Sequence, residues 1–171
     1  SGRNDGEVHP GIDLGKGSLK HKYIRRANHM YADVCRELDV PFKQVGQYVL
    51  FRNAALKPLI GLYAFWRKHH DGIEDTEIIS GKELMRREPN LTPDTKFAMY
   101  NPSAGCVCPY GLTIAYAENA VQNGAQVSLN TAVLSMEVSE HNIISVTTNR
   151  GVIHPKIVIN AAGVFAEDIA A

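Results

Sequence analysis

One apolar run near the end of the chain constrains the fold more than any other feature. Residues 156–160 read Lys-Ile-Val-Ile-Asn, and Ala161, Ala162 and Gly163 follow directly. A nearly continuous apolar run is typical of a strand that is covered on both faces of a parallel sheet. Small residues after such a strand let a ligand approach the backbone closely, at the edge where open α/β sheets bind ligands. The run therefore predicts a buried strand with a tight exit, and a ligand site there is an open alternative.

The residues before this run predict the remainder of an α/β unit. A helix over residues 110–123, closed by Gly124, leads into a strand over residues 126–133, as in the second half of a βαβ unit. Three short strands over residues 134–139, 143–148 and 151–153 follow, separated by polar turns, and predict a β-meander.

The first hundred residues alternate helices and strands. Apolar residues recur at three-and-four spacing from Ser18 to Leu38 and include Leu19 and Tyr23, so this face of the helix is expected to be buried, while Arg25 falls on a solvated face. The predicted elements are that helix with Ser18 as N-cap, a strand over residues 44–52, a helix capped by Asn53 with Gly72 past its end, a helix opened by the capping box at residues 80–83, and a strand over residues 95–100.

The composition limits the classes of partner and the compartment that we expect for the chain. Lys plus Arg and Asp plus Glu number 18 each, so no net field favours nucleic acid. No apolar stretch approaches the roughly 18 residues that a membrane span needs. Cys106 and Cys108 are predicted to be small buried strand residues, because no second ligand pair accompanies them for a metal. Free cysteines without a disulfide framework predict a reducing, cytoplasmic compartment.

Residues 158–163, Val-Ile-Asn-Ala-Ala-Gly after a meander, resemble the second flavin-contacting strand of the D-amino-acid-oxidase superfamily. The resemblance implies that the backbone near Val133 meets the adenine of FAD. It also implies that Ala161, Ala162 and Gly163 pass close to the dinucleotide.

The start of the chain resembles the Gly-Arg-Asn and His-x-Gly motif of anaerobic-type glycerol-3-phosphate dehydrogenases. The residues that carry the likeness are Ser1, Gly2, Arg3, Asn4, His9, Pro10 and Gly11. The likeness implies that this loop and strand lie against the ribityl chain and ring of the flavin, with Ser1, Gly2, Asn4 and Gly11 as cofactor contacts. His9 and Arg3 become the catalytic candidates: His9 as base or flavin contact, and Arg3 beside the flavin or the substrate anion. Without the resemblance, a polar loop with a lone histidine is the simpler interpretation.

A third segment, residues 105–112, resembles a Gly-x-Val-x-Pro-Phe/Tyr-x-Leu element in which a substrate-domain strand turns into a cofactor-domain helix. Two departures qualify the family assignment. No G-x-G-x-x-G fingerprint is present, and Asp13 lies where an Arg that pairs with the substrate phosphate is expected. Residues 16–20, Lys-Gly-Ser-Leu-Lys, are closer to the corresponding stretch of L-2-hydroxyglutarate oxidases.

The sequence thus predicts a mixed α+β and α/β chain, an internal piece of a longer flavoprotein. Residues 1–39 would be a flavin-proximal loop and helix, residues 40–100 part of a substrate-binding lobe, and residues 101–171 the second half of a Rossmann-like FAD-binding domain. The parent would oxidise glycerol 3-phosphate to dihydroxyacetone phosphate by hydride transfer to FAD, with L-2-hydroxyglutarate oxidation or a non-catalytic substrate-binding module as alternatives.

Several expectations accompany this prediction. The chain alone is expected neither to hold FAD tightly nor to turn over substrate, because the pyrophosphate lacks its helix-terminus site. The parent would use a quinone or another electron acceptor, would associate peripherally with a membrane, and needs no metal. A sheet edge exposed in the fragment would favour a homo-oligomer.

Overall fold

The computed structural model describes residues 4–71, 76–140 and 142–170. The chain divides into two compact units, Ser1–Asn123 and Gly124–Ala171. The elements are β1 (Glu7–Val8), α1 (Leu19–Glu37), β2 (Phe42–Lys43), β3 (Gln47–Phe51), α2 (Lys57–Asp71), β4 (Glu77–Ser80), α3 (Gly81–Arg87), β5 (Phe97–Asn101), β6 (Gly105–Val107), α4 (Pro109–Gln122), β7 (Val133–Ser139), β8 (Asn142–Thr148), β9 (Gly151–Ile153) and α5 (Ala166–Ala170), with short 3₁₀ turns at Ala54–Leu56 and Gly163–Phe165. The mixed helix-and-strand class predicted from the sequence is confirmed.

Two antiparallel sheets organise the first unit. One has the order β1-β6-β2 and the other the order β3-β5-β4. β5 is the central strand of the second sheet, and its neighbouring residues serve different cores. Met99 packs with Ile12 and Ala64 of α2, whereas Ala98 packs with Ile79 and Leu84 of α3. Because successive side chains of a strand point to opposite faces, α2 and α3 cover the two faces of this sheet.

Helix α1 forms where the sequence places it, but it buries only part of the predicted apolar face. The Ser18 hydroxyl accepts a hydrogen bond from the His21 N–H at 3.1 Å, which confirms the predicted N-cap. The buried residues are His21, Asn28 and Cys35, spaced seven apart. The predicted apolar face is buried only in part: Leu19, Tyr23 and Met30 are exposed, whereas Cys35 is buried and Ala27, Tyr31, Val34 and Leu38 are partly buried. Polar side chains that bond to backbone carbonyls, Arg25 and Asn28, belong to the packed face as well.

Most of the other predicted elements are confirmed with ends shifted by a few residues. The Ser80 hydroxyl caps α3 through the Glu83 N–H, and Asn53 caps the 3₁₀ turn that precedes α2. Gly124, with φ of +89°, follows α4 as expected. The position of Gly72 lies outside the described residues. In the second unit, β7, β8 and β9 form the predicted antiparallel meander.

Two predicted strands do not form. Of residues 126–133, only Val133 belongs to a strand, and residues 156–160 have no regular structure. Ile157 and Ile159 are 80% and 85% exposed. A parallel strand is held by neighbours on both sides, and no strand of the described residues pairs with this run. Local β propensity alone therefore does not order it.

The cysteines of the C-x-C pair were also predicted wrongly. Cys106 and Cys108 are both exposed. Cys108 is the N-cap of α4, and its Sγ accepts a hydrogen bond from the Gly111 N–H at 3.5 Å. The pair lies at a strand-to-helix junction, which explains why neither side chain is covered. No helix in the described ranges has the length and apolar character required to cross a membrane.

The α3-facing core gives a prediction on stability. We expect Leu84→Ala to lower the free energy of unfolding by about 2–5 kcal/mol, because Leu84 is 0% exposed and its truncation leaves a cavity. Leu59→Ala makes the same chemical change at a side chain that is 61% exposed. Urea denaturation of both variants measures the difference, and equal losses would contradict this assignment of the core.

Candidate functional site

The predicted site residues at the start of the chain fall into two groups. Ser1, Gly2 and Arg3 lie outside the described residues, so their predicted roles stay predictions. Asn4 is exposed, and its Oδ1 accepts a hydrogen bond from the Gly6 N–H at 2.7 Å. This Asx turn directs the chain into β1.

His9 follows β1 with two carboxylates beside its ring. Its Nδ1 lies 3.4 Å from Glu7 Oε1, and its Nε2 lies 4.0 Å from Asp5 Oδ2. The alternation of residues 5, 7 and 9 places all three side chains together. Glu7 is itself held by Gln47, whose Nε2 donates to Glu7 Oε1 at 2.6 Å. The imidazole side chain is 43% exposed, so the ring is oriented by Glu7 and is accessible to a ligand.

The same three residues are the natural place to look for a metal site. Ligating atoms of Asp5, Glu7 and His9 lie within 4.8 Å of one another. The carboxylates, however, approach different nitrogens of the ring. This arrangement suits a hydrogen-bonded imidazole better than an ion shared by all three side chains.

A small cavity of about 120 Å³ lies beside His9. It is lined by Glu7, Val8, His9, Ile24, Ala27, Asn28 and Tyr31. Burial is the main cause that raises the pKa of the Tyr31 phenol in this lining, and Tyr116 and Cys35 raise it further. The phenol therefore stays protonated at neutral pH and can donate a hydrogen bond.

Residues 9–14, here named the clamped loop, are held through their carbonyl oxygens by side chains of α1. The Asn28 amide of α1 donates to His9 O at 3.2 Å and to Ser103 O at 2.9 Å. Arg25 of α1 donates through Nη1 to Pro10 O at 3.2 Å. These bonds tie the loop both to α1 and to the turn between β5 and β6.

Helix α2 holds the next carbonyls of the clamped loop. Arg67 donates through Nη2 to Gly11 O at 2.8 Å and through Nη1 to Leu14 O at 2.7 Å. The Tyr63 hydroxyl donates to Ile12 O at 2.6 Å. Arg67 is only 3% exposed, and its guanidinium carbon lies 5.8 Å from the centre of the Tyr63 ring. Tyr63 and Arg67 are four residues apart on α2, so they share one face of the helix.

The clamp has a geometric consequence for the amide groups of the loop. In a trans peptide the C=O and the following N–H point in opposite directions, and the described chain contains no cis peptide. Since Pro10 O points at Arg25 of α1, the N–H of Gly11 points away from that side chain. Gly11 O and Ile12 O point at Arg67 and Tyr63 of α2, so the N–H groups of Ile12 and Asp13 point away from those side chains. Gly11 makes this path possible because its φ is +81°, and a Cβ there would lie 3.2 Å from Ile24 Cγ2. Successive N–H donors of this kind fit the acceptor atoms of a flavin ring or an anionic substrate.

The remaining predicted cofactor contacts lie in the second unit. Val133 begins β7 and, with Asp168 and Ile169 of α5, lines an open cavity of about 370 Å³. Asn160 makes the turn that leads to α5, because its Oδ1 accepts from the Ala162 N–H at 3.2 Å and its Nδ2 donates to Ala166 O at 2.7 Å.

Residues 161–163 form an exposed turn within that unit. Gly163 has φ of +62°, and among the described residues other than its chain neighbours no heavy atom lies within 4 Å of the Cβ position it lacks. Ala161 is exposed and Ala162 is partly buried. The backbone of this turn is therefore open to close approach, as the prediction of cofactor contacts requires. The contacts themselves stay a prediction.

Sequence reasoning missed the residues that clamp the loop. Arg25 was placed on a solvated face, whereas its side chain is partly buried against Pro10 and Gly11. Asn28 and Arg67 stood out in no motif. The signal available in the sequence was the position of Arg67 four residues after Tyr63 and three after the buried Ala64, a polar pair on the packed face of α2.

Comparison with known proteins assigns the family. The family model described as "DAO: FAD dependent oxidoreductase" matches residues 1–171. The chain belongs to this family of FAD-dependent oxidoreductases.

Two curated relatives and one solved structure illustrate the likeness. A glycerol 3-phosphate dehydrogenase of Caloramator mitchellensis is 35% identical over 167 residues, 97% of this chain and 34% of that protein. An L-2-hydroxyglutarate dehydrogenase of Indibacter alkaliphilus is 28% identical over 170 residues, 99% of this chain and 42% of that protein. The reduced L-α-glycerophosphate oxidase of Mycoplasma pneumoniae with FAD bound shares the fold with a TM-score of 0.71 and 20% identity, over 85% of this chain and 38% of that one. The chain thus spans well under half the length of each of these proteins.

The two hydrogen bonds that Asn28 donates to backbone carbonyls give a prediction with a pH dependence. We expect Asn28→Asp to lower the free energy of unfolding at pH 7 by about 3 kcal/mol, because a carboxylate cannot donate to His9 O and Ser103 O. Burial raises the pKa of such a carboxyl in the folded state above its unfolded value of about 3.9. The variant is therefore closest to wild type at low pH and loses stability as the pH rises through the folded-state pKa.

Asn123→Asp is the matched control for this prediction. Asn123 also donates to a backbone carbonyl, Asn119 O at 2.8 Å, but from an exposed position at the end of α4. We expect a loss below about 1 kcal/mol there, from the helix dipole and one exposed hydrogen bond. Thermal unfolding of both variants is measured between pH 4 and 8. If the loss of stability depended on pH in the same way in both, the role of Asn28 in holding His9 O and Ser103 O would be contradicted.

Proposed function

We propose that this chain is part of an FAD-dependent dehydrogenase that oxidises the secondary alcohol of a small anionic substrate, with glycerol 3-phosphate as the first candidate. The observation that carries the proposal is a polar, accessible His9 beside a loop whose amide donors are fixed in direction, in a chain of the FAD-dependent oxidoreductase family. The 35% identity with a glycerol 3-phosphate dehydrogenase supports the choice of first substrate.

In this proposal bound FAD would supply the hydride acceptor for the oxidation, and the chain supplies orientation and a proton acceptor. Glu7 Oε1 lies 3.4 Å from Nδ1 of His9 and is proposed to favour the tautomer with its proton on Nδ1, which leaves the lone pair on Nε2. His9 Nε2 then takes the hydroxyl proton of the alcohol as its C–H bond is broken. Asp5, 4.0 Å from Nε2, is placed to favour the imidazolium that results. Arg3 is proposed to pair with the anionic group of the substrate.

The cofactor contacts are proposed residue by residue. Asn4 and Gly11, with the neighbouring Ser1 and Gly2, are proposed to face the ribityl chain and ring. Val133 and the turn at residues 161–163 are proposed to lie along the adenosine half. The same proposal divides the chain at residues 39 and 100 into a flavin-proximal segment, a substrate lobe and the second half of the cofactor domain. It also includes a quinone or another electron acceptor for the longer parent protein.

A specific observation favours a second candidate substrate, L-2-hydroxyglutarate. Asp13 is exposed in the clamped loop, between two residues whose carbonyls are held by α2. Both substrates are dianions, but a fixed carboxylate repels a phosphate group, which carries both charges, more strongly than one carboxylate of L-2-hydroxyglutarate, which carries a single charge. The relative from Indibacter alkaliphilus carries this second activity in its name.

Flavin reduction by the two substrates tests the proposed function. In the full-length protein we expect anaerobic bleaching of the flavin by glycerol 3-phosphate or by L-2-hydroxyglutarate, with a clear preference for one. Stopped-flow absorbance gives the rate for each substrate, with D-2-hydroxyglutarate as a stereochemical control. Reduction by neither substrate would overturn the proposed substrate class and leave a non-catalytic binding module as the better interpretation.

Asp13 gives a prediction about substrate preference. We expect Asp13→Arg to raise the ratio of kcat/KM for glycerol 3-phosphate over that for L-2-hydroxyglutarate by about tenfold or more, since a repulsion is replaced by an ion pair with the dianion. Asp33→Arg makes the same charge change on the exposed surface of α1, where Asp33 pairs with Arg36. An equal shift in both variants would show a general charge effect and contradict the role of Asp13.

A further inference from the structure

We propose that Arg67 is a positioning residue, which acts through the clamped loop to fix the groups that meet the substrate and flavin. The inference rests on the proposed function, because it takes residues 9–13 as the segment that faces both. Arg67 itself lies under the loop and is buried, so it does not touch the reacting atoms. Its effect passes through the two carbonyls that it binds.

The first step of the argument is the fork geometry of Arg67. The two terminal nitrogens of one guanidinium reach Gly11 O and Leu14 O, at 2.8 and 2.7 Å. Gly11 O also accepts the Leu14 N–H at 3.4 Å, which closes the turn. One rigid planar group therefore fixes both ends of this turn, which a lysine ammonium at the end of a flexible chain cannot do.

The second step is the direction in which the loop is held. Tyr63 binds Ile12 O between the two carbonyls that Arg67 binds. Together they fix the plane of the peptide that joins Gly11 to Ile12 and of the peptide that joins Ile12 to Asp13. The N–H groups of Ile12 and Asp13 are thereby directed away from the Arg67 and Tyr63 side chains that hold those peptides.

The third step is that helix α2 is anchored to the β3-β5-β4 sheet as well as to the loop. Ala64 of α2 is buried with Met99 of β5, and Ile60 packs against the same core. Lys16, just beyond the clamped loop, donates to His70 O at the far end of α2 at 2.6 Å. The loop thus takes its position from α2, a helix of the 40–100 segment. The position of α2 is set in turn by the β3-β5-β4 sheet.

The test compares Arg67→Lys with wild type in the full-length flavoprotein. Arg67→Lys keeps the charge and removes the fork. We expect flavin content per chain to be unchanged and the flavin reduction rate at saturating substrate to fall about tenfold or more, as small misplacements of reacting groups do. We also expect the Leu14 amide, which reports the closed turn, to exchange with solvent about tenfold faster.

Three variants separate positioning from stability. Tyr63→Phe removes the bond to Ile12 O, and its effect on the reduction rate should be less than additive with that of Arg67→Lys, because both act on one loop. Leu84→Ala, in the other core, should lower the unfolding temperature without changing kcat or KM. Arg36→Lys, at an exposed arginine paired with Asp33, should change neither rate nor exchange.

Two results would overturn the inference. One is unchanged exchange of the Leu14 amide in Arg67→Lys, which would show that the fork does not hold the loop. The other is a loosened loop with wild-type kcat and KM, which would show that the loop position does not matter for the reaction. If the wild-type flavin is reduced by neither substrate, the proposed function fails instead, and the exchange comparison still decides whether Arg67 holds the loop.

Discussion

The hydrogen bonds from side chains to the carbonyls of residues 9–14 are the interaction on which the first unit depends. They come from Arg25 and Asn28 of α1 and from Tyr63 and Arg67 of α2. A loop with no strand or helix of its own must satisfy its polar groups elsewhere, since an unpaired buried carbonyl is costly. Here that requirement also joins two helices that are distant in sequence. The segment proposed to meet the cofactor is thereby tied to both helices.

The clamp explains why a site built on a loop can be precise. Reacting groups must be held to within a fraction of an ångström, which loops do poorly unless their backbone is supported. The support in this chain is directional, because bound carbonyls leave the amide N–H groups pointing the opposite way. Gly11 permits the path at a positive φ that other residues adopt rarely. Backbone donors, and not only side chains, therefore belong in the description of the site.

The sequence predicted elements with local causes and missed those that depend on distant partners. Ser18 and Ser80 cap their helices as read, because a cap is formed by residues three apart. Residues 156–160 read as a strand, yet a strand needs neighbours that the described chain does not provide. The family likeness singles out His9 as a candidate through a motif, whereas Arg67 bonds to residues more than fifty positions away. Periodicity carries no information about such contacts.

The central strand β5 places a further demand on the sequence. Ala98 faces the core of α3 and Met99 faces the core of α2, and no face of the strand is left for solvent. A slip of one residue against β3 or β4 would exchange the two side chains, driving a methionine into the space of an alanine and leaving a void opposite. The difference in size between Ala98 and Met99 thus stabilises one register of β5 against its neighbouring strands. It keeps α2, and with it the clamped loop, in one alignment with the sheet.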